Sequence, residues 1–208
     1  TVQNTVASFT NTVAGFPMAS GVVMTTGNAN IAPGPNDFSD ESTGTGAAIT
    51  DADLDALTGS SVQNGSVIEF DFITTSTNFE FKYIFGSEEY LDFVGSSFND
   101  VFGFFLSGPG ISGPFTGGAV NLAVVPGTST PISINTVNPS TNSAYYFDNP
   151  TGNGTVYGSS IEYNGTTVLM TVKYNIVCNQ TYHMKFAICN VVDKSWDSGV
   201  FGKAGSFT

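Results

Sequence analysis

The chain has 208 residues, a length that suits one β-sandwich or barrel with a sizeable core. It carries 17 acids against 5 lysines and no arginine, for a net charge of −12. Neutralising phosphates takes basic side chains, so nucleic acid is excluded as a partner and an anionic membrane surface is an equally poor one. Divalent cations, neutral glycans and other proteins remain. No run approaches the roughly 18 apolar residues of a membrane span, so no membrane insertion is expected.

The start, Thr1-Val2-Gln3-Asn4, lacks the basic and then apolar pattern of a signal peptide, which fits a mature form or an excised domain. Sparse charge and Thr/Asn/Gly richness read as extracellular. No internal repeat or long linker divides the chain, so one domain over residues 1–208 is expected. Residues 1–13 form a Thr/Val-rich extended segment. Residues 20–26 (SGVVMTT) read as a strand, and residues 28–40 are turn-rich around Pro33-Gly34-Pro35-Asn36. Residues 50–57 (TDADLDAL) are the one plausible helix, with Thr50 or Asp51 as its cap and acids in the first turn, where the helix dipole favours them.

In residues 67–73 (VIEFDFI), Ile68, Phe70 and Phe72 face in while Glu69 and Asp71 face out. Residues 78–85 put Phe79, Phe81, Tyr83 and Phe85 on one face. Residues 100–107 (DVFGFFLS) are apolar on both faces, as in a central strand covered on both sides, with Gly103 allowing a bulge or a close approach. Further strands are expected at 120–125, 131–137, 159–163, 166–177 and 181–192, and Asn164-Gly165 signals a tight hairpin between two of them. Short strands separated by turn signals imply an all-β fold: a two-sheet, jelly-roll-like β-sandwich with one short helix.

Cys178 and Cys189 invite a disulfide. If residues 166–177 and 181–192 form one hairpin, Ile176 lies opposite Tyr182 and Tyr174 opposite Met184. Cys178 then sits in the loop and Cys189 near the far end of its strand, beyond the roughly 7 Å between Cα atoms that a bridge allows. The same register sets the lone histidine, His183, with Lys185 on the opposite, solvent-facing side.

Between two apolar strands, residues 81–109 enclose a loop bearing Glu88, Glu89, Asp92 and Asp100. Such a loop repels itself unless it is solvated or a cation neutralises it. Calcium takes six to eight oxygens, and Glu88, Glu89, Asp92, Asn99 and Asp100 are the candidate ligands, although their spacing is not diagnostic. Asp51, Asp53 and Asp55 resemble the start of an EF-hand loop but lack its later glycine and glutamate, so the helix start accounts for them. Asp193 and Asp197, around Trp196, read as an acidic turn or a second oxygen cluster. Glu69 and Asp71 have the spacing of paired glycosidase carboxylates, yet the outer face of an amphipathic strand explains them more simply. No Ser-His-Asp set, phosphate loop or zinc spacing is present, so no enzyme is expected. Trp196 and Tyr145-Tyr146 are candidate sugar-stacking aromatics. Asn64, Asn153, Asn164 and Asn179 open N-x-S/T sequons, which turn chemistry explains first.

Several segments together resemble the choice-of-anchor L domain of secreted and surface proteins of Bacteroidetes-type bacteria. The matching residues include SGVVMTTG from Ser20, IEFDF from Ile68, FGSEEY from Phe85, FNDVFGFFLSGP from Phe98, PGT from Pro126, ISINTVN from Ile132 and DSGVF from Asp197. The resemblance runs from about Phe16 to Phe207 and implies an extracellular module of a Gram-negative cell surface, used for adhesion or surface assembly, with no known catalysis. The chain departs from the family in beginning abruptly and in stopping at Thr208. A free-standing copy would suit a subunit that assembles with itself into a filament, with Thr1, Val2, Val6 and Val13 in a donor strand. Other protein subunits or surface glycans are the expected partners, and calcium the expected cofactor.

Overall fold

The structure, a computed structural model, describes residues 4–43 and 49–208. Among them, eleven strands and one α-helix follow in chain order. These are β1 (Val6–Thr10), β2 (Ser20–Thr25), α1 (Ala52–Thr58), β3 (Val62–Ile73), β4 (Asn78–Ser87), β5 (Val101–Ser107) and β6 (Val120–Asn121). Then come β7 (Tyr146–Asp148), β8 (Gly165–Thr167), β9 (Met170–Asn175), β10 (Thr181–Val191) and β11 (Ser198–Lys203). A seven-stranded sheet runs β1-β2-β11-β4-β8-β7, with β9 also pairing β4, and a four-stranded sheet runs β3-β10-β5-β6. The two pack face to face as the sandwich expected from the alternating strands.

Alternation builds the core. Phe79, Phe81, Tyr83 and Phe85 project from the inner face of β4 and are all buried. They meet Phe102, Phe104 and Leu106 from β5, and Met184 and Ile188 from β10. The rings interlock edge to face: Tyr83 and Phe104 have centroids 4.8 Å apart at 81°, and Phe81 and Phe104 5.0 Å apart at 77°. Each such pair adds about 0.5–1.5 kcal/mol to simple burial. The opposite face of β5 is buried too: Val101 and Phe105 join Leu54 of α1 and Cys189 of β10 in a second cluster. At Gly103 the ring of Phe105 folds back so closely that a Cβ would lie 2.5 Å from it, the close approach that this glycine allows.

A helix of seven residues does not hold itself together in water. Asp51 caps α1 by accepting from the backbone N–H groups of Asp53 and Leu54, and Gly59 ends it in the left-handed region at φ 70°. Docking does the rest. Lys185, expected on an open face beside His183, is instead covered by the start of α1 and is only 8% exposed. Its Nζ lies 2.7 Å from Asp51 Oδ2 and 2.5 Å from Asp53 Oδ2, and it sits over the Phe105 ring. Asp53 Oδ1 also accepts from the Thr116 backbone and hydroxyl. The binary pattern could not anticipate this lid, because it comes from a segment about 130 residues away.

Three other expectations are corrected. The segments at 120–125, 131–137 and 159–163 are strand-like only in part: β6 has two residues, and the rest is reduced to single bridges at Val124–Pro131 and Pro33–Ile161. Residues 166–177 divide into β8 and β9, which both pair with β4, while β10 enters the other sheet between β3 and β5. The apolar faces of β9 and β10 therefore meet across the core and do not form one hairpin. The two cysteines are nonetheless both free thiols. Asn164-Gly165 forms no tight hairpin either. Asn164 is buried and Gly165 lies under the Tyr90 ring, where a Cβ would come within 2.6 Å.

Removing one partner of a buried charged set leaves the others uncompensated. Lys185→Met should therefore lower the unfolding free energy by on the order of 3 kcal/mol in urea titrations. A change well under 1 kcal/mol would show that the lysine is not what holds α1 in place.

Candidate functional site

Three strand ends converge at one edge of the sandwich. Glu88 follows β4, Asp100 precedes β5 and Asp197 precedes β11. The β4–β11 register pairs Ser87 with Ser198, so Asp197 falls beside Glu88, and the Glu88 N–H donates to the Asp197 carbonyl at 3.0 Å.

The acidic loop divides on folding. Glu88, Glu89 and Asp100 turn inward and are at most 1% exposed. Asp92 is exposed, and Asn99 Oδ1 accepts from the Asn135 backbone at 3.2 Å. Asp197 joins the inward group at 0% exposure. Its neighbours come from distant segments: Thr43 donates to its Oδ2 from both backbone (3.0 Å) and hydroxyl (2.6 Å). Glu162, also buried, accepts from the backbone of Asp37 and Phe38. Asn164 Nδ2 ties the assembly together by donating to the carbonyls of Ser39 (2.8 Å) and Glu88 (3.0 Å). Gly27 packs directly on the Asp197 carboxylate, leaving no room for a Cβ.

The inward acids form two unlike pairs. Glu89 and Asp100 are well served: Glu89 Oε2 accepts from the Asp100 N–H at 3.0 Å, Asp100 Oδ1 accepts from the Val191 N–H at 3.1 Å, and Asp100 Oδ2 lies 2.8 Å from Ser198 Oγ. Burial still raises both pKa values, Glu89 to about 7. Glu88 is not served, and Asp197 is served at one oxygen only. Neither carboxyl oxygen of Glu88 has a hydrogen-bond partner, nor has Asp197 Oδ1. The Asn164 N–H lowers the Glu88 pKa slightly but lies outside hydrogen-bond geometry. Burial first, then the charges of Glu162, Asp197 and Glu41, push Glu88 up to about 9. Burial likewise raises Asp197, against the opposing bonds from Thr43. No lysine figures among the groups acting on these four acids. Among the described residues, no three Asp, Glu, His or Cys side chains converge closely enough to hold a metal by themselves.

The other sequence candidates lie elsewhere. Trp196 is half-buried, edge-on against Phe93 with centroids 4.8 Å apart. Tyr146 packs against Tyr90. Glu69 and Asp71 stand on the outer sheet face around His183, whose Nδ1 is 2.8 Å from Asp71 Oδ1. Val6 lies in β1 and packs against the main core, and Val13 is half-buried beyond that strand. Thr1 and Val2 fall outside the described residues. In the sequence Asp197 reads, with Asp193, as an acidic turn or a second oxygen cluster with no link to Glu88, and Glu162 carries no signal. Nothing local reveals that the segments around residues 41, 88, 162 and 197 meet.

The family profile of the Choice-of-anchor L domain matches residues 1–208, the whole chain, and the protein belongs to that family. Membership marks it as a surface-associated module of a secreted or cell-surface bacterial protein. No curated protein and no solved structure matches it significantly.

Glu88 has its pKa raised from 4.5 to about 9, so the folded state keeps a proton that the unfolded chain has lost between those values. The unfolded state then binds fewer protons, and stability falls as pH rises through that window. With divalent cations chelated, the melting temperature should decline from pH 5 to pH 8, and Glu88→Gln should make the decline shallower. A flat profile in the parent protein would contradict the assignment.

Proposed function

We propose that this protein is a noncatalytic, calcium-stabilised contact module on the surface of a Gram-negative bacterium, where copies of the chain assemble through a free sheet edge. One observation carries the reading. Residues 67–73 of β3 pair only with β10 among the described residues, leaving the other side of the strand without a partner. That edge borders an apolar cleft of about 220 Å³ between the sheets. Ile68 and Phe70 of β3 form one wall, and Val22, Met24, Val200 and Gly202 of β2 and β11 the other. Phe207 packs beside it on Phe70 and Phe72.

An unpaired strand edge next to an apolar slot is what strand addition uses. Main-chain bonds supply affinity, and alternate side chains entering the slot set the register. The N-terminal segment, expected as a donor, already supplies β1 within its own sheet, paired with β2 from Val6–Met24 to Thr10–Ser20. In an assembly, the β1 region of a neighbouring copy is the natural strand to reach the β3 edge. Calcium enters the reading because the acids at the strand ends have no cationic side chain to balance them. The noncatalytic reading takes Glu69 and Asp71, which lie on an exposed sheet face beside His183, as the outward residues of an amphipathic strand.

Val22 is 45% exposed and lines the cleft, so a lysine there alters the slot at little cost to the core. Sedimentation and electron microscopy at high protein concentration with calcium should show assemblies of the parent protein. Val22→Lys should shift these to monomers while leaving the melting temperature within a few degrees. Parent protein that stays monomeric under those conditions would rule out edge-mediated assembly.

A further inference from the structure

Carboxylates buried away from water must be paired, protonated or bound to a metal. Five lysines are the only basic side chains apart from His183, and none serves the cluster at residues 88 and 197. Lys82 and Lys173 pair with Glu80, and Lys185 with Asp51 and Asp53. Lys203 donates to the Pro17 carbonyl, and Lys194 is exposed. Pairing within the protein is therefore closed to Glu88 and Asp197.

Protonation answers only part of the problem. A proton on Glu88 removes its charge, but the new O–H needs an acceptor and the remaining oxygen a donor. Both oxygens lack a partner at 0% exposure. Asp197 Oδ1 stays bare as well. The Glu89–Asp100 pair next door shows the contrast: there, backbone N–H groups and the Ser198 hydroxyl meet the carboxyl oxygens.

We propose that Glu88 and Asp197 together bind one calcium ion, and that this is the site responsible for the calcium stabilisation in the functional reading above, on which the inference rests. A dication meets the bare oxygens of both carboxylates at once and offsets the nearby charges of Glu162 and Glu41. The donors are all oxygen, which suits a hard cation. Two carboxylates leave most of calcium's six to eight positions to main-chain carbonyls and water, an irregular set that calcium's flexible geometry accommodates better than magnesium's near-ideal octahedron. The Glu41 carbonyl accepts from the Asp197 N–H at 3.1 Å and the Ser39 carbonyl from Asn164 Nδ2 at 2.8 Å, so the irregular segment at 37–43 runs beside Asp197. The ligand set differs from the one the acidic loop suggests by itself: only Glu88 is kept from it, because Asp92 is exposed, Asn99 bonds Asn135 and Glu89 and Asp100 are bonded to other groups, and Asp197 from the far end of the chain joins it.

The test measures melting temperature in chelator and in calcium for the parent protein, Glu88→Gln, Asp197→Asn and the exposed control Asp92→Asn. With calcium at about 100 times its Kd, the parent and Asp92→Asn should gain roughly 5–10 °C. Glu88→Gln and Asp197→Asn should gain almost nothing, and magnesium should not replace calcium. Calorimetric titration of the parent protein, which needs no variant to fold, should count one calcium per chain. No shift and no binding in the parent would overturn the site together with calcium stabilisation. A full shift retained in both Glu88→Gln and Asp197→Asn would overturn the site alone and place the ion elsewhere. Neither result bears on edge-mediated assembly, which the Val22→Lys comparison tests separately.

Discussion

A charged carboxylate is costly to take out of water without a partner, and this fold takes four carboxyl groups out of water at one edge. Glu88, Glu89, Asp100 and Asp197 are each at most 1% exposed in a protein with 5 lysines and no arginine. The rest of the architecture supports that placement. The aromatic core clamps the two sheets together, and the β4–β11 register sets Glu88 against Asp197. Gly27 leaves space for the Asp197 side chain, and Asn164 fastens the segment at residue 39 to the carbonyl of Glu88. These are costly arrangements for a purely structural corner, since a well-packed apolar cluster would be more stable than unpaired buried acids.

Two buried acid clusters among the described residues resolve the same problem differently. Beneath α1, Lys185 meets Asp51 and Asp53 at 2.9 Å or less, so a cation of the protein itself offsets the acids and the short helix is pinned to the sheet. Beside β11, the acids face one another with no cation from the protein. The first arrangement is complete as built and belongs to the fold. The second, on the proposal above, takes its balancing charge from solution, which would tie the stability of the strand ends to the ionic composition of the surroundings.

Much of the frame was legible in the residues. Alternation in β3 and β4, the two-sided apolar run in β5 and the Asp51 cap of α1 follow from local periodicity and capping chemistry, which need only neighbours in sequence. The failures share one cause. The faces of β9 and β10 were read correctly, but whether they meet side by side or across the core depends on which sheet each strand joins, and periodicity carries no such information. Asn164-Gly165 has the composition of a turn, yet its amide serves a tertiary contact. The loop acids Glu88, Glu89 and Asp100 stood out by density of charge, whereas Asp197 and Glu162 lie far off in sequence and reach the same place only through sheet pairing and the path of the segment at 36–43.

On this proposal a cation from solution completes the Glu88–Asp197 corner. The most direct test is long-wavelength anomalous diffraction from crystals grown in calcium. An anomalous peak between the carboxylates of Glu88 and Asp197, within about 2.3–2.6 Å of oxygens from both, is the result the account predicts. Density showing those carboxyl groups bonded only to each other or to water, with calcium plainly available, would contradict it.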